Sequence, residues 1–197
     1  MKKLKGNLYK EGETPTNYHD DEYERLEPGA YVCKIVQVKD EEKKEYLYVE
    51  YDIAEGPNAG YYSRLQDRAN FWGGRIYLSY KDSASNLFGR ACKVINNANA
   101  PYTFNPFGDG SNADEKTLIG KLFGIVLHEE EYKKNDGSIG SRLSASATGI
   151  IDTEKAKTGK FNRKLLDRVP LKDTNSDAPA NTPDFMDVDA GTENPFA

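Results

Sequence analysis

The side chains best equipped for chemistry in this 197-residue chain are aromatic and basic, and they recur at every second position. Tyr46, Tyr48, Glu50 and Asp52 alternate with Leu47, Val49, Tyr51 and Ile53, and Arg75, Tyr77 and Ser79 alternate with Ile76, Leu78 and Tyr80. Alternation at period two puts one set on one face of a strand and the other set on the opposite face. The apolar set belongs in a core. Tyr46, Tyr48, Arg75 and Tyr77 are then left on an open face, with Phe71 and Trp72 just upstream and Lys81 just downstream. Such a face suits single-stranded nucleic acid. Every base has a π-face, so stacking on Tyr or Trp ignores sequence and is worth about 1–3 kcal/mol per base. Arg and Lys beside the rings hold phosphates. Lys43 and Lys44 in one turn, with Lys133 and Lys134 in another, extend the basic track.

Two considerations weigh against that reading. Aromatic residues occupy exposed strand faces through β-propensity and cross-strand pairing alone, and Trp72 could instead plug the end of a barrel. Glu50 and Asp52, on the same face as the tyrosines, repel phosphate.

Other chemistry finds little support. The sequence has no P-loop, no GxGxxG after a strand, no HExxH and no paired CxxC. His19-Asp20-Asp21 reads as part of a polar arm and not as a metal site, and Glu129-Glu130-Glu131 as a charged strand end near His128. Cys33 falls in a strand-like run and Cys92 in a helix-like one, so both read as small core residues. No catalytic residue, metal or cofactor is expected. No apolar run approaches the ~20 residues that span a bilayer, and Met1-Lys2-Lys3-Leu4-Lys5 lacks the apolar stretch of a signal peptide. A cytoplasmic protein with no membrane partner is the expectation.

The elements that must position the face follow from period and punctuation. Strands are expected over residues 31–38, 45–53, 72–80, 118–131 and 138–151, the last two joined by the hairpin signal Asn135-Asp136-Gly137. From Ser83 onward, Ala84, Leu87, Phe88, Ala91, Val94, Ile95 and Ala98 recur at spacings of three and four, which predicts an amphipathic helix ended by an Asn-rich cluster. The fold class is therefore mainly β. Three strands, a helix and two strands match a five-stranded OB-type barrel with its one helix between strands three and four; an open α+β sheet has the same element order.

Charge divides the rest of the chain. Residues 1–28 form a polar arm expected to be disordered, and 29–151 the OB-like domain. Residues 152–172 hold seven bases and three acids, a basic connector; 173–197 hold six acids and no base, a disordered acidic tail. The tail carries two apolar anchors among its acids, Phe185 and Met186 beside Asp187 and Asp189, then Pro195 and Phe196, which equip it to dock in a basic, apolar pocket of a partner protein.

The segments Tyr51-Asp52-Ile53-Ala54-Glu55-Gly56-Pro57, Tyr77-Leu78-Ser79-Tyr80-Lys81 and Gly124-Ile125-Val126-Leu127-His128-Glu129-Glu130-Glu131-Tyr132 resemble a family of small proteins encoded in the replication modules of phages and prophages of Gram-positive bacteria. The resemblance covers residues 29–151 and implies single-stranded DNA binding or a role in recombination. Separately, the tail resembles that of bacterial single-stranded DNA-binding proteins, which recruit replication and repair enzymes through an acidic tip ending in Pro-Phe. Here Ala197 follows Phe196, and Asn194 precedes Pro195 where an apolar residue is usual, which weakens recognition by partners that read a carboxylate beside Phe. The expectation is a sequence-independent single-stranded DNA-binding protein of phage replication or recombination, with replication or recombination proteins as partners of the tail. The alternative is an OB-like adaptor that regulates a phage replication enzyme. A homo-oligomer is as compatible with the sequence as a monomer.

Overall fold

The computed structural model describes residues 25–107 and 112–171. Five antiparallel strands, β1 (Gly29–Glu41), β2 (Tyr46–Ile53), β3 (Arg75–Ser79), β4 (Leu122–Lys133) and β5 (Ile139–Ile151), form one sheet in the order β3-β2-β1-β4-β5. The alternation read from β2 and β3 is realised. Leu47, Val49, Tyr51 and Ile53 are buried on one side, as are Ile76 and Leu78. Against them lies α2 (Ser85–Ala98), which turns Phe88, Ala91, Val94 and Ile95 inward; Cys33 and Cys92 are free thiols in the same core. Each large apolar side chain so buried contributes about 1.5–3 kcal/mol.

Local polar contacts close the elements. The Asn96 side chain pairs with both backbone groups of Phe104, and Asn99 with both of Leu122, so the Asn-rich end of α2 stands in for a strand edge. The predicted hairpin forms at Gly137, with φ +83°, and the Asp136 carboxylate accepts from the backbone and hydroxyl of Ser138 at 2.9 and 2.6 Å.

Four expectations need correction. The sheet is open and not a closed barrel. β3 and β5 are its edges and approach within 8 Å between Cα atoms, without a ladder between them. Edge carbonyls of β5 are committed elsewhere: Arg90 of α2 donates to the oxygens of Thr148 and Ile150 at 2.6 and 2.7 Å. The helix count is also larger. Besides α2, helix α1 (Tyr61–Ala69) lies between β2 and β3, and a short α3 (Thr153–Thr158) follows β5. β3 begins at Arg75 and not at Trp72, because the backbone turns at Gly73-Gly74. A Cβ on Gly74 would lie 2.2 Å from the Tyr51 carbonyl oxygen, a separation only glycine permits.

The fourth concerns residues 152–171, expected as a basic connector, which pack on the second face of the sheet. Ala156, Phe161, Leu165 and Leu166 cover Val32, Val126 and Ile151 in a separate small core. Gly124 lets α3 approach, since a Cβ there would lie 3.1 Å from the Ala156 methyl. Val169 adds a parallel bridge to β4, donating to the Glu129 carbonyl at 2.8 Å and accepting from the Glu131 amide at 2.9 Å. Arg168 pairs with Glu131 at 2.9 Å and Lys157 with Glu55 at 3.0 Å, so these two cations serve docking. Of the arm expected over 1–28, Leu26 is already in the main core. Residues 1–24 of that arm, with His19, and the tail 173–197 lie outside the described residues. Among the described residues no helix is long and apolar enough to cross a membrane.

Candidate nucleic-acid interface

Register assembles the open face from three strands. Tyr77 of β3 lies opposite Tyr48 of β2, which lies opposite Lys39 of β1; the next row is Ser79, Tyr46 and Glu41, and the row on the other side is Arg75, Glu50 and Gln37. Tyr77 packs between the other two tyrosines. Its ring centroid is 5.3 Å from that of Tyr46, edge to face, and 5.4 Å from that of Tyr48 at a tilt of 51°. The three rings are half-exposed and belong to neither core. They form one contiguous aromatic patch.

Polar groups hold the patch in shape. The Tyr48 hydroxyl donates to Glu50 Oε1 at 2.6 Å, a short charge-assisted bond. Partial burial, with the Glu50 carboxylate second, pushes the Tyr48 phenol up to about 12, and the charge of Arg75 pulls in the opposite direction. Arg75 is exposed at the edge of the face. Lys39, also exposed, forms an ion pair with Glu41. Each cation on the face therefore has an acid beside it.

The two carboxylates that alternate with the tyrosines separate in space. Glu50 stays on the face. Asp52 is 5% exposed and accepts from the amides of Ile53, Tyr62 and Ser63 at 2.8, 2.9 and 3.1 Å, and from the Ser63 hydroxyl at 2.6 Å. It satisfies the free amides at the start of α1, where a negative charge also meets the positive end of the helix dipole. One of the two objections to phosphate binding is thereby removed.

Other expected residues are more dispersed. Trp72 is half-buried; its Nε1 donates to the Gly74 carbonyl at 2.9 Å and its ring lies 6.2 Å from that of Tyr62, a core residue. That placement is the plug-like alternative. Phe71 beside it is 50% exposed. Lys43 and Lys44 are exposed in a 3-10 turn closing β1 onto β2, and the exposed Lys81 leaves β3 at that end, where Tyr80 N bonds Glu45 O at 2.9 Å. Lys133 and Lys134 are exposed at the β4–β5 hairpin, where β4 runs past the first residue of β1. The two basic turns thus lie at opposite ends of β1. Phe185, Met186, Asp187, Asp189, Pro195 and Phe196 lie outside the described residues.

The third column of the face, Gln37, Lys39 and Glu41, was missed in the sequence. A bulge between Ile35 and Gln37 breaks the alternation, so that Ile35 and Val38 both point inward. The signal was the three-residue spacing of these apolar positions. Glu129, Glu130 and Glu131 are tied to Arg168 and Arg142, which fits a charged strand end. No family model matches the chain, and no curated protein matches it.

Proposed function

We propose that this protein binds single-stranded DNA without sequence preference on the outer face of β1, β2 and β3, and acts in phage DNA replication or recombination. The observation that carries the proposal is the contiguous Tyr46–Tyr77–Tyr48 patch outside both cores, with Arg75 and Lys39 at its sides. The Tyr48 hydroxyl is spent on Glu50, so this ring offers a base its flat face and no reading group. An OB-like topology in a sheet left open between β3 and β5 is the finer architecture we favour: the strand order, α2 between β3 and β4, and the approach of the β3 and β5 edges support that reading. The two unpaired thiols suit a reducing cytoplasm, and the acidic tail is proposed to recruit replication or recombination proteins.

Fluorescence anisotropy of a labelled oligo-dT, titrated with the protein over a range of salt, tests the proposal. Micromolar or tighter binding at ~50 mM salt is expected, with the logarithm of affinity falling by roughly 0.7 per phosphate contact for each decade of salt. Absence of binding at that salt overturns it. The second reading, a protein-binding adaptor, is favoured by Glu41 and Glu50 on the same face, and would then stand.

A further inference from the structure

We propose that the docked segment 152–166 carries a second part of the DNA interface, in which Lys160, Arg163 and Lys164 take the backbone of a strand that leaves the tyrosine patch along β1. The inference rests on the single-stranded DNA reading and extends that site across the same face of the sheet.

Three observations carry it. The first is that the segment and the patch share one face. Val32, under the segment, alternates with Cys33 and Ile35 of the main core and so lies on the side of Lys34. Lys34 is opposite Asp52, which alternates onto the side of Glu50, Tyr48 and Tyr46. From Val32 to Lys39, β1 advances about 20 Å, so the two parts are neighbours on one surface. Lys34 lies exposed between them, and the Asp52 carboxylate is spent on the amides of α1.

The second is how the cations of the segment divide. Lys155 pairs with Asp152 at 3.0 Å, Lys157 with Glu55 at 3.0 Å and Arg168 with Glu131 at 2.9 Å. Lys160, Arg163 and Lys164 are exposed and have no ion pair among the described residues. The exposed acids of the segment, Glu154 and Asp167, fall on either side of this run in sequence and not within it. The third is local order. Gly159, at φ +65°, ends α3, and the Arg163 guanidinium lies 5.0 Å from the centre of the Phe161 ring, which packs in the second core. The Asn162 side chain accepts from the Lys164 amide at 3.1 Å. The unpaired cations are thus held on a turn anchored to the sheet. A phosphate backbone is their complement, because its contact releases counterions without first breaking an ion pair.

The test makes Lys160→Gln and Lys164→Gln together and compares this variant with the wild-type chain by oligo-dT anisotropy across salt. Two lengths are used, about 4 and about 16 nucleotides, the range of OB-type sites. The substitutions leave the Arg163–Phe161 stack and the second core in place, so melting by circular dichroism should be unchanged. On the long oligonucleotide at ~50 mM salt, affinity should fall on the order of tenfold and the salt slope should flatten by about 1.4, from two phosphate contacts. On the short one, which the tyrosine patch holds alone, the change should stay under roughly twofold, because the two sites share no partner. An unchanged slope on the long oligonucleotide overturns the proposal. An equal loss on both lengths also overturns it, since the lysines would then act through the field of the whole protein and not by contact. Should the pair fail to fold, Lys164→Gln alone takes its place, with an expected slope change of about 0.7. Failure of the wild-type protein to bind the long oligonucleotide overturns the DNA reading itself, whereas wild-type binding with an unaltered variant overturns only the role of the segment.

Discussion

At the scale of single residues, identical side-chain types acquire different roles from what lies across the sheet. Glu50 and Asp52 sit two positions apart on β2, yet one faces Arg75 on the open surface and the other is buried against the first amides of α1. The tyrosines divide likewise. Tyr51 and Tyr62 meet edge to face at 5.7 Å inside the core, whereas Tyr46, Tyr48 and Tyr77 meet outside it. Removing two rings of the outer set should therefore cost binding more than stability. For Tyr48→Ala with Tyr77→Ala, oligo-dT affinity is expected to fall at least tenfold, from stacking worth about 1–3 kcal/mol per base. A cooperative melt by circular dichroism should persist, since neither ring belongs to a core. Unchanged affinity in the folded double mutant would move the site off this face.

At the scale of elements, the seam between α2 and β5 depends on Arg90, whose guanidinium binds the Thr148 and Ile150 carbonyl oxygens on the unpaired edge of β5. Arg90→Met keeps the aliphatic stem and removes both bonds. A loss of about 1–2 kcal/mol in urea denaturation is expected, because the site is partly solvated, together with faster amide exchange along the C-terminal half of β5. Equal stability would show that water replaces Arg90 there without cost. The same elements show what was legible in the sequence. β2, β3, α2 and the Asp136-Gly137 hairpin follow from local period and turn chemistry, and all are present. α1 escaped because its cap comes from Asp52, ten residues upstream and on another element, where no local capping pattern marks it. Residues 152–171 looked like a linker because their charges dominate the composition. Their apolar residues, Ala156, Phe161, Leu165 and Leu166, follow neither a helical nor a strand period, and find their partners only on the folded sheet. The aromatic face was legible from alternation in β2 and β3. Its third column was not, because one bulged residue in β1 shifts every later side chain by one position.

At the scale of the whole molecule, charge is distributed so that residues 1–172 and residues 173–197 carry opposite net signs. Residues 173–197 carry six acids and no base, so removing them takes the formal net charge from −5 to +1. The main core ends at Ile150 and the second at Leu166, so the deletion takes nothing from either and the melting temperature should hold within about two degrees. Oligo-dT affinity should be equal or higher, because a polyanion tethered to the protein competes with DNA for the same cations. Any gain should be largest at ~50 mM salt and fade as the screening length falls to about 8 Å at 0.15 M. The measurement is anisotropy of the full chain and of the protein ending at residue 172, side by side at both salts. A loss of tenfold or more on truncation would place Phe185, Met186 or the Pro195-Phe196 pair in the DNA site itself, and would remove the argument that the tail is held for a protein partner.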